Sequence, residues 1–512
     1  MSCRTLGRWL WFSMALPLWL VAGCGDGHGR AMRATPTPVA TPSPTPTPIN
    51  GPLELCAQAP HDELCSFLPQ DVIAPELSAD GYSQITPREQ RPFDNFAWQM
   101  FVALNWPADR NGVPIEGSIG DHPEAPRVWR SYPTSFEAFQ VHVPQGLNSE
   151  PQECPLGEDL PILQLTAKSG DLHHEPASIL QATGEPLVDR NLNFVMYDIR
   201  LNPVALSYLT DNGLTTVAGQ QRFEQAGGTV SFPLGFYDDE LARTGGSPGA
   251  IELKFSWRIL DAARGDDLSR FYTMRALVYV PAAASESGNA FCFPATLGLV
   301  GMHIMQRTSG PHSFGLDWVW ATFEHVDNAP LAQTPGDPTS LTPAPAPCLA
   351  PTSASDTYSL FNPACPADVC IPNAPPEPDP SGGYVWATTP PYARRYATDG
   401  LYGTQVVQCW DIYPETEEVN VAYRRALAGT VWANYRLINT QWQGEIQDPA
   451  SENGNIPRFL ANTTMETYLQ NTSSCLDCHS LATTTTGQDA NFSFLLGLAA
   501  VNTTQALAVP AH

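Results

Sequence analysis

Ile251-Glu252-Leu253-Lys254-Phe255-Ser256-Trp257-Arg258 alternates apolar and polar residues over its whole length. Successive side chains of an extended chain point to opposite faces, so a period of two predicts a strand with one apolar and one polar face. Working outward, β-rich runs at residues 194–200, 274–280, 296–305 and 318–325 predict more strands. The last two are joined through a polar turn containing Ser309-Gly310-Pro311. Helical spacing is rarer. Phe93, Phe96, Ala97, Met100, Phe101 and Leu104 share one face between Pro92 and Asn105, with Asp94 near the start and Trp106-Pro107 at the end. A second helix is expected from Pro203 to the stop signal Asn212-Gly213. A third is expected over residues 414–427, where Glu415, Glu417 and Glu418 suit the positive end of the helix dipole. Residues 431–442 alternate like a strand, and an apolar helix is expected around Phe492, Leu495, Leu496 and Ala499. Many strands with few helices predict an α+β fold with a mainly antiparallel, sandwich-like β body.

Composition divides the 512-residue chain further. Arg4 and Arg8 precede an apolar run at residues 10–20 that is too short to span a bilayer, so residues 1–23 read as a signal peptide. Leu20-Val21-Ala22-Gly23-Cys24 resembles a bacterial lipobox, in which cleavage leaves the cysteine N-terminal and lipid-modified. Several acyl chains on Cys24 would anchor the protein stably to a bacterial membrane, facing the periplasm or the cell surface. Gly25, in place of the aspartate that retains many such lipoproteins at the inner membrane, points to the outer membrane. Residues 24–52 are a Thr/Pro-rich tether that cannot bury a core. Residues 53–327 form the expected body, residues 328–383 a Pro/Ala-rich irregular segment, and residues 384–512 a C-terminal region.

The formal net charge of −26 makes nucleic acid a poor partner, whereas a basic partner protein suits such a field. No P-loop, H-E-x-x-H or dinucleotide fingerprint is present.

The most informative spacing is Ser474-Cys475-Leu476-Asp477-Cys478-His479-Ser480. C-x-x-C-H is the attachment pattern of c-type haem: two thiols add across the porphyrin vinyls, and the adjacent histidine ligates the iron. Three other readings are weaker. A zinc site needs a second ligand pair, but Cys409 is the nearest cysteine upstream and none lies downstream. A thioredoxin-like redox pair would sit in a small α/β unit and would leave the histidine unexplained. A Cys475–Cys478 disulfide would close a short, strained loop. Of the twelve cysteines, Cys3 leaves with the signal, Cys24 takes lipid, and Cys475 and Cys478 take haem. The even remainder of Cys56, Cys65, Cys154, Cys292, Cys348, Cys365, Cys370 and Cys409 suits disulfides outside the cytosol, with Cys56–Cys65 and Cys365–Cys370 as local pairs.

On these residues the chain resembles bacterial lipoprotein c-type cytochromes with one haem, and is similar to uncharacterised exported cytochrome c proteins. The resemblance covers few residues. A short helix capped by Asn462 and carrying Met465, Tyr468 and Leu469 would be similar to the start of a class I cytochrome c. The chain departs from that family after His479, because residues 480–512 are few and contain no methionine. A small, mostly helical, cytochrome c-like region within residues 384–512 would then carry the haem and borrow its pocket, and any sixth ligand, from the larger protein. His303 and Met465 are the candidate sixth ligands, with His325 behind them and water or an open position as the alternative. The resemblance implies one-electron transfer by one haem c to a redox partner protein. The rivals are a haem enzyme whose open iron acts on peroxide or a nitrogen oxide, and a partner-binding protein with an accessory haem.

Overall fold

The computed structural model describes residues 64–73, 87–139, 160–164, 181, 184–239, 245–280, 291–310, 318–355, 357–366, 370–375, 402–443 and 455–500. The expected signal peptide and tether, with Cys24, Cys56 and Cys154, lie outside them. The strands are β1 (Ile162–Gln164), β2 (Met196–Leu201), β3 (Ile251–Ile259), β4 (Thr273–Val280), β5 (Phe291–Arg307), β6 (Trp318–His325), β7 (Leu331–Gly336), β8 (Gln408–Trp410), β9 (Tyr435–Gln443) and β10 (Asn455–Ile456). The helices are α1 (Pro87–Leu104), α2 (Ser135–Phe139), α3 (Pro203–Asp211), α4 (Val217–Gln225), α5 (Pro414–Ala426) and α6 (Cys475–His479).

Eight strands make one mainly antiparallel sheet built about the long β5. One edge of β5 carries β3, which in turn pairs with β2. Its other edge carries β4 along the first half and β6 along the second, and β6 continues to β9 and β10. The parallel pair β1–β4 is the exception within this sheet. The pairing of β6 with β9 carries the sheet across the Pro/Ala-rich segment, and all described residues belong to one compact unit, residues 49–512.

A register shift opposite Ser256 and Trp257 leaves Val300 as an extra residue in β5. That bulge turns Leu297 and Leu299 before it, and Met302 and Ile304 after it, to the same apolar cluster. Leu253, Phe255 and Trp257 of β3 face this cluster too, as the alternation of β3 predicts. α1 and α5 close it from above. Trp98 of α1 stacks on Tyr423 of α5 with ring centroids 5.1 Å apart, and its Nε1 donates to Asn420 Oδ1 at 3.0 Å. Each fully buried ring contributes roughly 1.5–3 kcal/mol by leaving water. Two helices therefore cover the apolar face where a sandwich would need a second sheet; among the described residues the only other sheet is the two-stranded β7–β8.

Disulfides Cys348–Cys409 and Cys365–Cys370 pin the Pro/Ala-rich segment, the first tying it to β8. Cys65 and Cys292 are also disulfide-bonded. α3 starts at the Asn202 cap and stops at Asn212, as its flanking residues predict. No described helix is long and apolar enough to cross a membrane.

Candidate functional site

The polar face of β3 is not solvated. Glu252, Ser256 and Arg258 are buried and Lys254 is half-buried, so the residues that alternate with the core row have a second cover. Arg258 is held by Asp189 and Asp266, whereas Glu252 and Ser256 are covered by the chain from Asn462 to Ser493. The expected helix from Asn462 does not form; residues 463–472 run as turns. Asn462 does cap, since its Oδ1 accepts from the Thr464 amide at 2.8 Å, but the next donors are taken by the sheet. Glu324 of β6 accepts the Thr463 amide at 2.5 Å and the Thr463 hydroxyl at 2.7 Å. Ser256 and Thr464 share a hydroxyl–hydroxyl bond of 2.7 Å, and Asn462 Nδ2 donates to Thr322 Oγ1 at 2.8 Å. Side chains that satisfy backbone groups in this way compete with helical bonding. The close approach needs Gly301, where a Cβ would collide with Thr464 Oγ1 and Ser256 Oγ.

This segment leads into α6, five residues capped by Ser474 and fixed to β9 by the bond from Leu476 N to Gln441 Oε1 at 3.0 Å. Cys475 and Cys478 are the free cysteines among the described residues. Burial raises the Cys475 thiol well above its usual range and, with Glu466 nearby, raises Cys478 too. Protonated thiols one helical turn apart do not resemble a redox-active pair, whose leading cysteine is depressed. Their C-x-x-C spacing is what suits attachment of two sulfurs to one flat ligand.

His479 is held in one tautomer. Its Nδ1 lies 2.8 Å from the Phe492 carbonyl, which can only accept, so the proton sits on Nδ1 and the Nε2 lone pair is free to ligate. Burial pulls the ring down to about 4, partly opposed by that bond. It is neutral at pH 7, as a ligand must be. Trp320 and Phe494 flank it at 5.6 Å and 5.2 Å. Beside the motif, Leu481 is 73 % exposed and Phe494 48 % exposed, and Cys478 is exposed as well. Apolar side chains exposed around two free thiols and a nitrogen free to ligate would fit a flat hydrophobic group laid over them.

His303 sits opposite Lys254 in the β3–β5 register and opposite Thr322 across β6, on the face that the motif covers. Its Nε2 is buried, makes no hydrogen bond, and lies 3.5 Å from Glu466 Oε2. Burial would raise the Glu466 carboxyl, yet His303 and Lys254 outweigh it and hold it below the usual range. Burial in turn lowers the Lys254 ammonium, against Glu466. Met465 is elsewhere: it is fully buried in an apolar cluster with Leu187, Tyr197 and Val406, whereas Cys475 and Leu476 belong to another. His325 is occupied at both nitrogens, by the Arg270 carbonyl at 3.0 Å and the Asp327 amide at 3.1 Å, and stacks on Phe271. It is a core histidine.

Glu466, Trp320 and the Phe492 carbonyl carry no sequence signal of their own. No protein-family model, curated protein or solved structure matches this chain.

Proposed function

We propose that the protein is an exported, lipid-anchored c-type cytochrome that carries one haem c for one-electron transfer. Cys475 and Cys478 hold the porphyrin and His479 is the proximal ligand. The observation that carries this reading is the tautomer of His479, fixed with Nε2 free, beside the only free thiols among the described residues. Bound there, the haem would supply a one-electron couple whose potential depends on its axial ligands and burial. The chain's own residues bind and orient it: α6 presents the thiols, the Phe492 carbonyl fixes the His479 ring, and Trp320 and Phe494 flank that ring.

Of the two candidate sixth ligands His303 is favoured, because it has a buried nitrogen without a hydrogen bond while Met465 is fully buried in an apolar cluster with Leu187, Tyr197 and Val406. Glu466 Oε2 lies 3.5 Å from that same His303 Nε2 and would have to give way for it to ligate. Cys24 is the lipid-bearing residue, an outer-membrane face is preferred, and the redox partner is a basic protein drawn by the acidic surface.

The test is expression in a host that matures c-type cytochromes. Haem should stay with the polypeptide on a denaturing gel, be lost in a Cys475→Ser, Cys478→Ser double variant, and give a low-spin spectrum indifferent to carbon monoxide. Absence of covalent haem in the parent protein refutes the reading. A high-spin spectrum that shifts with carbon monoxide would turn it into the open-iron enzyme.

A further inference from the structure

The carbonyl that holds His479 belongs to a turn that is unfavourable by itself. Asn491 and Phe492 are consecutive residues in the left-handed region, with φ of 50° and 68°. In that region the Cβ of any residue but glycine crowds the neighbouring carbonyl oxygen, and a bulky phenylalanine there is a genuine outlier. Such a conformation persists only where its surroundings over-determine it, and these outliers gather at functional sites.

The surroundings are unusually complete. Trp318 Nε1 donates to the Asn491 carbonyl at 2.9 Å, and the Phe232 amide donates to Asn491 Oδ1 at 3.1 Å. The Asn491 amide is taken by Asp489 at 2.6 Å, and Phe492 meets Trp320 edge-on with centroids 5.7 Å apart. The last tie is from the sheet: Ser493 Oγ donates to Glu252 Oε1 at 2.5 Å. Glu252 is buried, and among the described residues Ser493 is the hydrogen-bond partner acting on its carboxyl. A buried carboxylate is costly unless it is bonded, so its retention on β3 calls for a purpose.

We propose that Glu252 and Ser493 form a clamp that positions His479. By locking the turn in its left-handed form they aim the Phe492 carbonyl at Nδ1, and a firm Nδ1–H···O bond makes Nε2 a stronger donor. They are positioning residues, since neither touches the ligating nitrogen. The proposal rests on the haem reading above and deepens it: the potential of the centre is set in part from the polar row of β3, through the chain Glu252, Ser493, Phe492, His479.

The test uses the intact holoprotein. Ser493→Ala should raise the exchange rate of the His479 Nδ1 proton at least tenfold, followed by NMR in the reduced, diamagnetic state. It should also weaken the preference for ferric over ferrous iron about tenfold, an upward shift of about 59 mV for a one-electron couple. Ser493→Thr, which keeps the hydroxyl, should restore both values, and Glu252→Gln, which keeps an acceptor oxygen, should leave the exchange rate at that of the parent. A folded Ser493→Ala protein with covalent haem and parental exchange and potential overturns the clamp, as does failure of Ser493→Thr to restore them. If the parent protein carries no covalent haem, the haem reading itself falls and the clamp with it; the denaturing gel separates that result from the others.

Discussion

The two faces of the central sheet are held by different physics. On the helix-covered face, Leu253, Phe255 and Trp257 of β3 share one apolar cluster with residues of α1 and α5, the two β3 rings packing on Trp129, and contact area decides the energy. On the opposite face, Glu252, Ser256, Thr322, Glu324 and Gln441 each hold a particular atom of the chain between Asn462 and Ser493. The first face is non-directional and tolerant of small volume-conserving changes. The second is directional: each bond is worth about 1 kcal/mol but fixes a position, and position is what a ligand site needs. The same strand therefore supplies stability with one row of side chains and placement with the other.

Breaking the apolar face should have the largest effect. Trp98→Ala removes a fully buried ring that stacks on Tyr423 and leaves Asn420 without its indole donor. A loss at the upper end of about 3–5 kcal/mol is expected in urea denaturation. A loss below about 1 kcal/mol would mean that α1 is not what closes this face.

Next comes a buried acid on the same side. Asp94 of α1, bonded to Thr416 at 2.6 Å and Gln90 at 2.9 Å, is pushed up to about 7 by burial. It binds its proton more tightly folded than unfolded. Its contribution to stability is thus fully present below about pH 4 and is lost as the pH rises through about 7. A rise of that size from the ordinary aspartate value corresponds to about 4 kcal/mol. The stability difference between Asp94→Asn and the parent should therefore move in the variant's favour by that order between pH 4 and pH 7.5. A difference independent of pH would place the Asp94 carboxyl in the ordinary range.

This contrast also marks what was legible in the sequence. The apolar row of β3, the stripe on α1, the caps of α3 and the acidic first turn of α5 were all readable, because periodicity and capping act over a few residues. Cys475, Cys478 and His479 stand out in the sequence because the proposed haem attachment would fix their spacing. The fate of Glu252 and Ser256 was not, since their partners Ser493 and Thr464 are more than two hundred residues away. For the same reason residues 462–469 looked helical: nothing nearby says that Glu324 will take the Thr463 amide. The left-handed Phe492 has no propensity signature at all. What the sequence hid is the directional half of the molecule.

On that directional face, Gly301→Ala sharpens the comparison. Its Cβ would collide with Thr464 Oγ1 and Ser256 Oγ and lift the turn that leads into α6. The cost should be about 1–3 kcal/mol in stability, but the larger consequence should be a lower haem content per polypeptide. A variant that loses stability yet keeps full haem content would show that the turn's seat on the sheet does not matter to the site.

The smallest expected effect on stability separates the two candidate sixth ligands. Met465 is enclosed by Leu187, Val195, Tyr197 and Leu260, so Met465→Leu exchanges one flexible apolar side chain for another of similar volume. It should cost less than about 1.5 kcal/mol and leave the visible spectrum unchanged. His303 stands on the placing face with its Nε2 buried and without a hydrogen bond, so His303→Leu should alter the spectrum toward high spin while stability changes little. The reverse pattern, a spectrum that follows Met465 and ignores His303, would move the distal ligand into the apolar cluster, and the division of labour between the two faces would fail at the one position where the function depends on it.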